Sequence, residues 1–181
     1  YQGTIGMDSY IVGTNHTADQ VTYTAVNRRT GTVDPFQVHK IWLDGVKTPE
    51  EAVSLRPNIF LKVERSTDGG KTWVPAGNNG YLAHTWNKDT LCDGTDNLTW
   101  WTATFAPQPK YDGAGNLYDY NITEGLSGNA GGKYAQYYYD TSPKADGTFD
   151  ESDPANVRED RGAAPNGTIV NRLEDTRTLN I

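Results

Sequence analysis

Apolar and polar residues alternate through most of the chain, and no stretch keeps a helical period over three turns. Alternation with a period of two is typical of strands that bury one face. The strand candidates are residues 20–27, 37–43, 59–65, 98–105, 117–124, 134–139 and 168–173. Turn-forming pairs such as Asp44-Gly45, Asn79-Gly80 and Asn166-Gly167 separate them. Many short strands joined by such turns predict an all-β fold of the sandwich type.

Two segments differ from this strand pattern. Residues 48–54 predict a short helix, with Thr48 as its cap and Pro49 in its first turn. Residues 66–73, Ser-Thr-Asp-Gly-Gly-Lys-Thr-Trp, match the Asp-box, a hairpin that sialidase propellers repeat once in each blade. Because one copy cannot build a propeller, the segment predicts a hairpin and no glycosidase activity.

Charge and composition exclude several classes of function. The 181 residues carry a net charge of -7, whereas binding to nucleic acid needs a basic face. No apolar run is long enough to span a bilayer, so we expect no membrane contact by this segment. Neither a signal peptide nor a sorting signal is visible, and we expect an interior piece of a longer protein. Cys92 is the single cysteine, which excludes an intrachain disulfide and a cysteine-based zinc site.

Residues 145–165 form a long acidic connection rich in Pro and Gly. Its carboxylates Asp146, Asp150, Glu151 and Asp153 raise the question of a calcium loop, but their spacing matches no EF-hand. We therefore predict a solvated loop, no metal site and no cofactor.

A short internal repeat indicates the module boundaries. Residues 24–28 read Thr-Ala-Val-Asn-Arg, and residues 168–172 read Thr-Ile-Val-Asn-Arg. The two segments begin 144 residues apart (168 − 24), which is a sensible length for one module. We predict that residues 1–35 hold tail strands of a preceding module, or exchanged strands, plus a linker. Residues 36–173 would form one β-sandwich module, and residues 174–181 a linker or the start of the next.

Three polar residues fall on faces that strand alternation turns inward. Lys40 shares its face with Val38 and Trp42, Glu124 lies on the apolar face of strand 117–124, and Asn171 follows Ile169 on the same face. Buried charges pair or become neutral. One interpretation is a Lys40–Glu124 ion pair with Asn171 as a hydrogen-bonding bystander.

The other interpretation is covalent chemistry. Desolvation lowers the pKa of a buried lysine and raises that of a buried glutamic acid. A neutral amine is a nucleophile, and a protonated carboxyl can hydrogen-bond to the Asn171 carbonyl and polarise it. Held in contact, Lys40 and Asn171 could then form an amide and release ammonia.

Several motifs together resemble the Cna-B domains of Gram-positive surface proteins and pilins. Residues 38–44 are similar to their opening Lys-x-Trp-x-Asp strand, and residues 56–63 to their Arg-Pro-plus-strand element. Residues 101–116 resemble the Trp-x-x-x-Phe…Pro-Lys-Tyr-Asp segment. Residues 120–124 resemble the strand with the catalytic Glu, and residues 169–171 the closing Ile-x-Asn strand. The resemblance spans residues 36–173 in the correct order.

The resemblance implies an Ig-like or prealbumin-like sandwich in which an isopeptide bond joins Lys40 to Asn171 and Glu124 catalyses its formation. It implies a structural module of a stalk, adhesin or fibre that carries mechanical load, with no catalysis beyond this single turnover. The expected location is extracellular, at the cell surface or attached to the cell wall. The expected partners are neighbouring modules or copies, head to tail, and a host or matrix ligand. Unlike the family, residues 127–167 make a long connection, and sorting and pilin-type lysine motifs are absent from this sequence.

The alternative function is an adhesin module that binds a glycan or another ligand on exposed aromatic rings. Its candidate residues are Trp73, Trp86, Trp100, Trp101, Tyr137, Tyr138 and Tyr139. Four Asn-x-Thr sequons, at Asn15, Asn97, Asn121 and Asn166, offer glycosylation sites if the organism uses them. Alternation turns Asn121 outward, opposite Glu124, so modification is sterically possible there.

Overall fold

The computed structural model describes residues 6–17, 20–87, 99–128, 133–145 and 148–174. Within them the chain forms eleven strands and one short helix. Their bounds are β1 Gly6–Thr17, β2 Gln20–Thr30, β3 Phe36–Leu43, α1 Pro49–Leu55, β4 Asn58–Ser66, β5 Val74–Pro75, β6 His84–Asn87, β7 Trp100–Phe105, β8 Asp119–Ser127, β9 Tyr134–Tyr139, β10 Arg158–Glu159 and β11 Thr168–Leu173.

Two of the three described sheets pack on one core. The larger has the order β10-β9-β11-β3-β7-β6, and the smaller has the order β5-β4-β8. Val38, Phe105 and Ile169 of the larger sheet share a buried cluster with Leu61 and Ile122 of the smaller one. The all-β prediction is confirmed, and the two sheets face each other as in a sandwich.

The first and last strands of this sandwich are neighbours. β11 pairs parallel with β3 and antiparallel with β9. The parallel register sets Ile169 opposite Lys40 and Asn171 opposite Trp42. β3 also pairs antiparallel with β7, and β4 with β8. A chain that enters at β3 and leaves at β11 therefore begins and ends its fold on adjacent strands.

The sequence predicted most of the long strands, but β1, with twelve residues, was not among the strand candidates, although residues 1–35 were expected to hold tail strands. Strands β9 and β11 have the predicted bounds, and β3 begins one residue earlier than predicted. Alternation missed β5, β6 and β10, which have two to four residues. The predicted helix is confirmed, because Thr48 and Glu51 form a reciprocal capping box at its start. The predicted hairpin also forms, since β5 folds back on β4 with Arg65 opposite Val74.

The N-terminal part of the described chain is a separate hairpin. β1 and β2 pair antiparallel from Gly6↔Thr30 to Thr17↔Gln20 and form a sheet of their own. Among the described elements, neither strand packs extensively on a strand of the sandwich. At its base, the backbone nitrogen of Arg29 comes close to Gly115. The predicted boundaries at residues 35 and 173 stay predictions.

The acidic connection covers the outer face of the larger sheet. Phe149 contacts Tyr139 edge-on at 5.1 Å and packs with Ile41 and Val170. The Glu151 carboxylate accepts hydrogen bonds from Tyr139 at 2.7 Å and from Arg172. Asp146 lies outside the described residues, among which there is no cluster of three or more metal-ligating side chains. The described part of the connection thus packs on the sheet at Phe149 and Glu151, while most of its other residues are exposed or half-exposed, as predicted for a solvated loop.

Candidate functional site

Lys40 lies in the core of the sandwich. Alternation along β3 buries Phe36, Val38, Lys40 and Trp42 on the inner face, and Lys40 is 0% exposed. Its ammonium donates to the Ile41 carbonyl at 3.2 Å and lies 4.2 Å from the centre of the Trp42 ring. The predicted inward orientation of Lys40 is confirmed.

Asn171 and Glu124 reach the same point from two different sheets. Asn171, on β11, is 0% exposed and diagonal to Lys40 in the parallel register. Glu124, on β8, is 6% exposed and opposite Leu61 in the smaller sheet. The Asn171 amide nitrogen donates to Glu124 Oε1 at 2.6 Å, and Lys40 Nζ lies 3.6 Å from Glu124 Oε2. The structure thus brings the three predicted residues into one buried group.

Burial changes the proton equilibrium of Lys40. Desolvation lowers its pKa to about 8, and the attraction of Glu124 opposes this shift only in part. Because burial favours the uncharged amine, the site holds a larger population of the nucleophilic form near pH 7 than an exposed lysine does.

The contact between Glu124 and Asn171 differs from the predicted one. The carboxyl was expected to meet the amide oxygen, but Oε1 accepts from the amide nitrogen. Asn171 Oδ1 and Glu124 Oε2 are buried and make no hydrogen bond within the described residues. One carboxyl oxygen therefore faces the amine of Lys40 and the other faces the nitrogen that would leave as ammonia.

An ion pair closes the end of the sandwich beside this group. Arg56 donates to both carboxylate oxygens of Asp44, through Nε to Oδ2 at 2.6 Å and through Nη2 to Oδ1 at 3.0 Å. Its guanidinium lies 4.9 Å from the centre of the Trp42 ring, which also packs edge-on against Tyr134. Trp42 is thereby held between Arg56 and Lys40. The sequence showed Asp44 and Arg56 as motif residues but gave no sign that they pair.

Sequence reasoning also missed a residue that contacts Glu124. Gln136 donates through Nε2 to the main-chain oxygen of Glu124 at 3.0 Å and to its Oε1 at 3.2 Å. The available signal was alternation along β9, which places Gln136 on the same face as Tyr134 and Tyr138.

The expected accessibility of Asn121 is wrong. Its side chain lies on the face opposite Glu124, as predicted, but the residue is only 5% exposed. The backbone N–H of Ile122 donates to the carbonyl of Ala163, and the N–H of Ala163 donates to the carbonyl of Ile122, both at 2.8 Å. This pairing places Gly162 over Asn121. A Cβ at position 162 would lie 2.5 Å from Asn121 Oδ1, so only glycine permits this approach. The sequon at Asn97 and the thiol of Cys92 lie outside the described residues.

The aromatic residues of the alternative function are all at least half-buried. Trp100 and Tyr139 are buried, and the other five are half-buried. Trp86 and Trp101 meet edge-to-face at 76°, which is not the coplanar arrangement of a stacking platform. No observation therefore favours a glycan-binding groove on these residues.

Comparison with family models, with curated proteins and with solved structures found no match for this chain. The single helix of the described residues has seven residues, too few to cross a bilayer.

Proposed function

We propose that residues 36–173 form a Cna-B-type sandwich, of the Ig-like or prealbumin-like kind, that joins Lys40 to Asn171 by an isopeptide bond. The module then serves as a structural, force-carrying unit of an extracellular stalk, adhesin or fibre at the cell surface or cell wall. One observation carries the proposal: a buried amine, carboxyl and carboxamide from three strands meet within hydrogen-bonding or ion-pair distance.

The reaction needs no external reactant. Lys40 Nζ attacks Asn171 Cγ, the Nζ–Cγ bond forms and the Cγ–Nδ2 bond breaks. One proton passes from Nζ to the departing nitrogen, which leaves as ammonia. Starting from a protonated carboxyl, Glu124 accepts the proton of Nζ at Oε2 and gives the proton on Oε1 to Nδ2, whose lone pair becomes available once Cγ is tetrahedral. Glu124 thus ends in its starting protonation state. Fixed contact within the core replaces a bimolecular encounter, which favours the reaction. Each chain reacts once, so the protein is not a turnover enzyme.

The strand order supports a mechanical role. β3 and β11 are parallel neighbours, so a pull on the two ends of the module shears one strand along the other. Backbone hydrogen bonds alone would resist this shear. A covalent bond between Lys40 and Asn171 would carry the force directly and leave the sandwich folded.

We expect the intact protein to be lighter than its sequence mass by one ammonia. Lys40→Ala, Glu124→Ala and Asn171→Ala should each restore the full mass, because each removes one reacting or catalytic group. High-resolution mass spectrometry of the purified chains measures this difference, and peptide mapping should find residues 40 and 171 in one branched peptide.

Two matched variants control for loss of any buried lysine or asparagine. Lys110→Ala and Asn121→Ala remove buried residues that take no part in the reaction, at 7% and 5% exposure. Both should still lose one ammonia. A wild-type mass equal to the sequence mass would exclude the proposed bond.

We also propose that the hairpin β1–β2 joins neighbouring modules or copies head to tail. Two strands alone are marginal in water, and a sheet of two strands has two edges to offer. Residues 24–28 in β2 repeat the closing-strand sequence of β11. Strand addition would supply backbone hydrogen bonds to such an edge and propagate into a fibre.

The full chain is therefore expected to form oligomers whose size grows with concentration, and deletion of residues 1–30 should leave a monomer. Light scattering after size-exclusion chromatography measures both. Loss of one ammonia from the shortened chain would show that its sandwich has folded. A full chain that stays monomeric at all concentrations would contradict the fibre proposal and leave a stalk module.

A further inference from the structure

Gln136 links the two sheets at the reacting group. It lies on β9 in the larger sheet, directly opposite Asn171 in the antiparallel register. Its side chain crosses to β8 in the smaller sheet, where Nε2 contacts both the main-chain oxygen and Oε1 of Glu124. One half-buried amide thus touches Glu124 twice and neighbours the strand position of Asn171.

The open edge of β8 explains why Glu124 needs such a contact. At Ile122 this edge is closed by backbone pairing with Ala163. At Glu124 side chains of β9 replace the backbone partner: the Tyr138 hydroxyl accepts from Glu124 N at 3.3 Å, and Gln136 donates to Glu124 O. The main chain of Glu124 is therefore held by the same strand that orients its carboxyl.

The second contact of Gln136 fixes the plane of the carboxyl. Glu124 Oε1 receives two donors, Asn171 Nδ2 at 2.6 Å and Gln136 Nε2 at 3.2 Å. With Oε1 held between them, Oε2 is left facing Lys40 Nζ at 3.6 Å. If the carboxyl rotated about the Cγ–Cδ bond, Oε1 would no longer face the Asn171 nitrogen and Oε2 would no longer face the Lys40 amine.

We propose that Gln136 is a positioning residue for the cross-linking reaction, acting by holding the Glu124 carboxyl with one oxygen toward the amine and one toward the leaving nitrogen. This inference rests on the proposed isopeptide reaction. Small misplacements of a reacting group cost up to about 100-fold in rate. We therefore expect Gln136→Met, which keeps the length and removes the donor, to slow the reaction by about 10-fold to 100-fold.

The rate is followed as loss of ammonia by mass spectrometry from the moment the protein is purified. Wild type should be fully converted, and Gln136→Met should begin with an uncross-linked fraction that converts slowly. Gln37→Met is the matched control, because Gln37 lies in the same sheet and donates to Thr104 at 3.2 Å, away from Glu124. It should convert like wild type.

Two further measurements separate positioning from a structural role. In a Glu124→Ala background, where no bond forms, adding Gln136→Met should lower the melting temperature by no more than about 2–4 °C, because only the hydrogen bond from Gln136 to the main-chain oxygen of residue 124 is lost. Gln136→Glu should be slow at neutral pH and should gain rate relative to Gln136→Met as the pH falls, because a protonated acid donates again.

The outcomes distinguish this inference from the reaction on which it rests. Wild type without ammonia loss would overturn the reaction itself. Wild type that cross-links, with Gln136→Met as fast as Gln37→Met, would overturn only the role of Gln136. A fall of more than about 4 °C in the Glu124→Ala background would also overturn it, by showing that Gln136 acts mainly by supporting the fold.

Discussion

Replacing Glu124 by glutamine is expected to lower the melting temperature by about 10–20 °C. The proposed bond would tie residue 40 to residue 171 and so close a loop of about 130 residues. The chain-entropy model gives roughly 5 kcal/mol for a loop of this size, by analogy with a disulfide. For a chain of this length each 1 kcal/mol shifts the melting temperature by about 2–4 °C. Glutamine keeps the shape of residue 124 but cannot carry the proton.

Calorimetry and resistance to protease measure the effect of the bond, and a double variant isolates it. Lys40→Met with Glu124→Leu removes the bond together with both buried ionisable groups. If this double variant melts as low as Glu124→Gln, the lost stability belongs to the covalent loop. If it melts near wild type, the buried ion pair and not the loop controls stability. Reducing agents should change nothing, because the amide is not reducible.

A Glu124→Gln protein that melts and resists protease like wild type would contradict the mechanical role. Such a result would not show whether the bond forms in the wild-type protein, because mass spectrometry tests that separately. It would not be what makes the module robust.

Local sequence predicted most of the long elements, with the exception of β1, which has twelve residues and was not among the strand candidates. The period of two in β3, β9 and β11 fixed both their extent and their inner faces, including those of Lys40 and Asn171. Thr48 and Glu51 predicted α1 because a capping box is a local interaction. β6 carries only four residues, and its pairing of His84 with Phe105 depends on a partner strand, so no local pattern shows it.

The sequence predicted which residues form the candidate site but did not predict which of their atoms are in contact. Alternation showed which side chains face inward, but it carries no information on the strand that lies across the core. Glu124 meets Lys40 because β8 belongs to the opposite sheet, a placement that alternation left open although it gave a Lys40–Glu124 pair as one interpretation. Gln136 and the burial of Asn121 were missed for the same reason: alternation gives the face of a residue and not what covers it.

The second large effect is expected at the ion pair beside the site, where Asp44→Ala should cost about 3–5 kcal/mol at pH 7. The side chains of Asp44 and Arg56 are only 1% and 4% exposed. Removing the carboxylate leaves a buried guanidinium without its two hydrogen bonds to residue 44, and frees it from its position on the Trp42 ring. Urea unfolding in a Glu124→Gln background measures the cost without interference from the bond.

Acid should reduce this difference. Burial acts to raise the pKa of Asp44, but hydrogen bonds from Arg56 and Val46 outweigh it and hold the pKa below its usual value of 3.8. A carboxyl with a lowered pKa stabilises the fold above the pKa of the unfolded chain and loses this contribution as the pH falls through its folded value. The stabilities of wild type and Asp44→Ala should therefore begin to approach each other below about pH 4 and continue to do so until the pH has fallen through the lowered pKa of Asp44. Arg161→Ala, which removes an exposed ion pair with Glu64, should cost less than about 1 kcal/mol at pH 7. Equal losses in Asp44→Ala and Arg161→Ala would show that the buried pair does not hold this end of the sandwich closed.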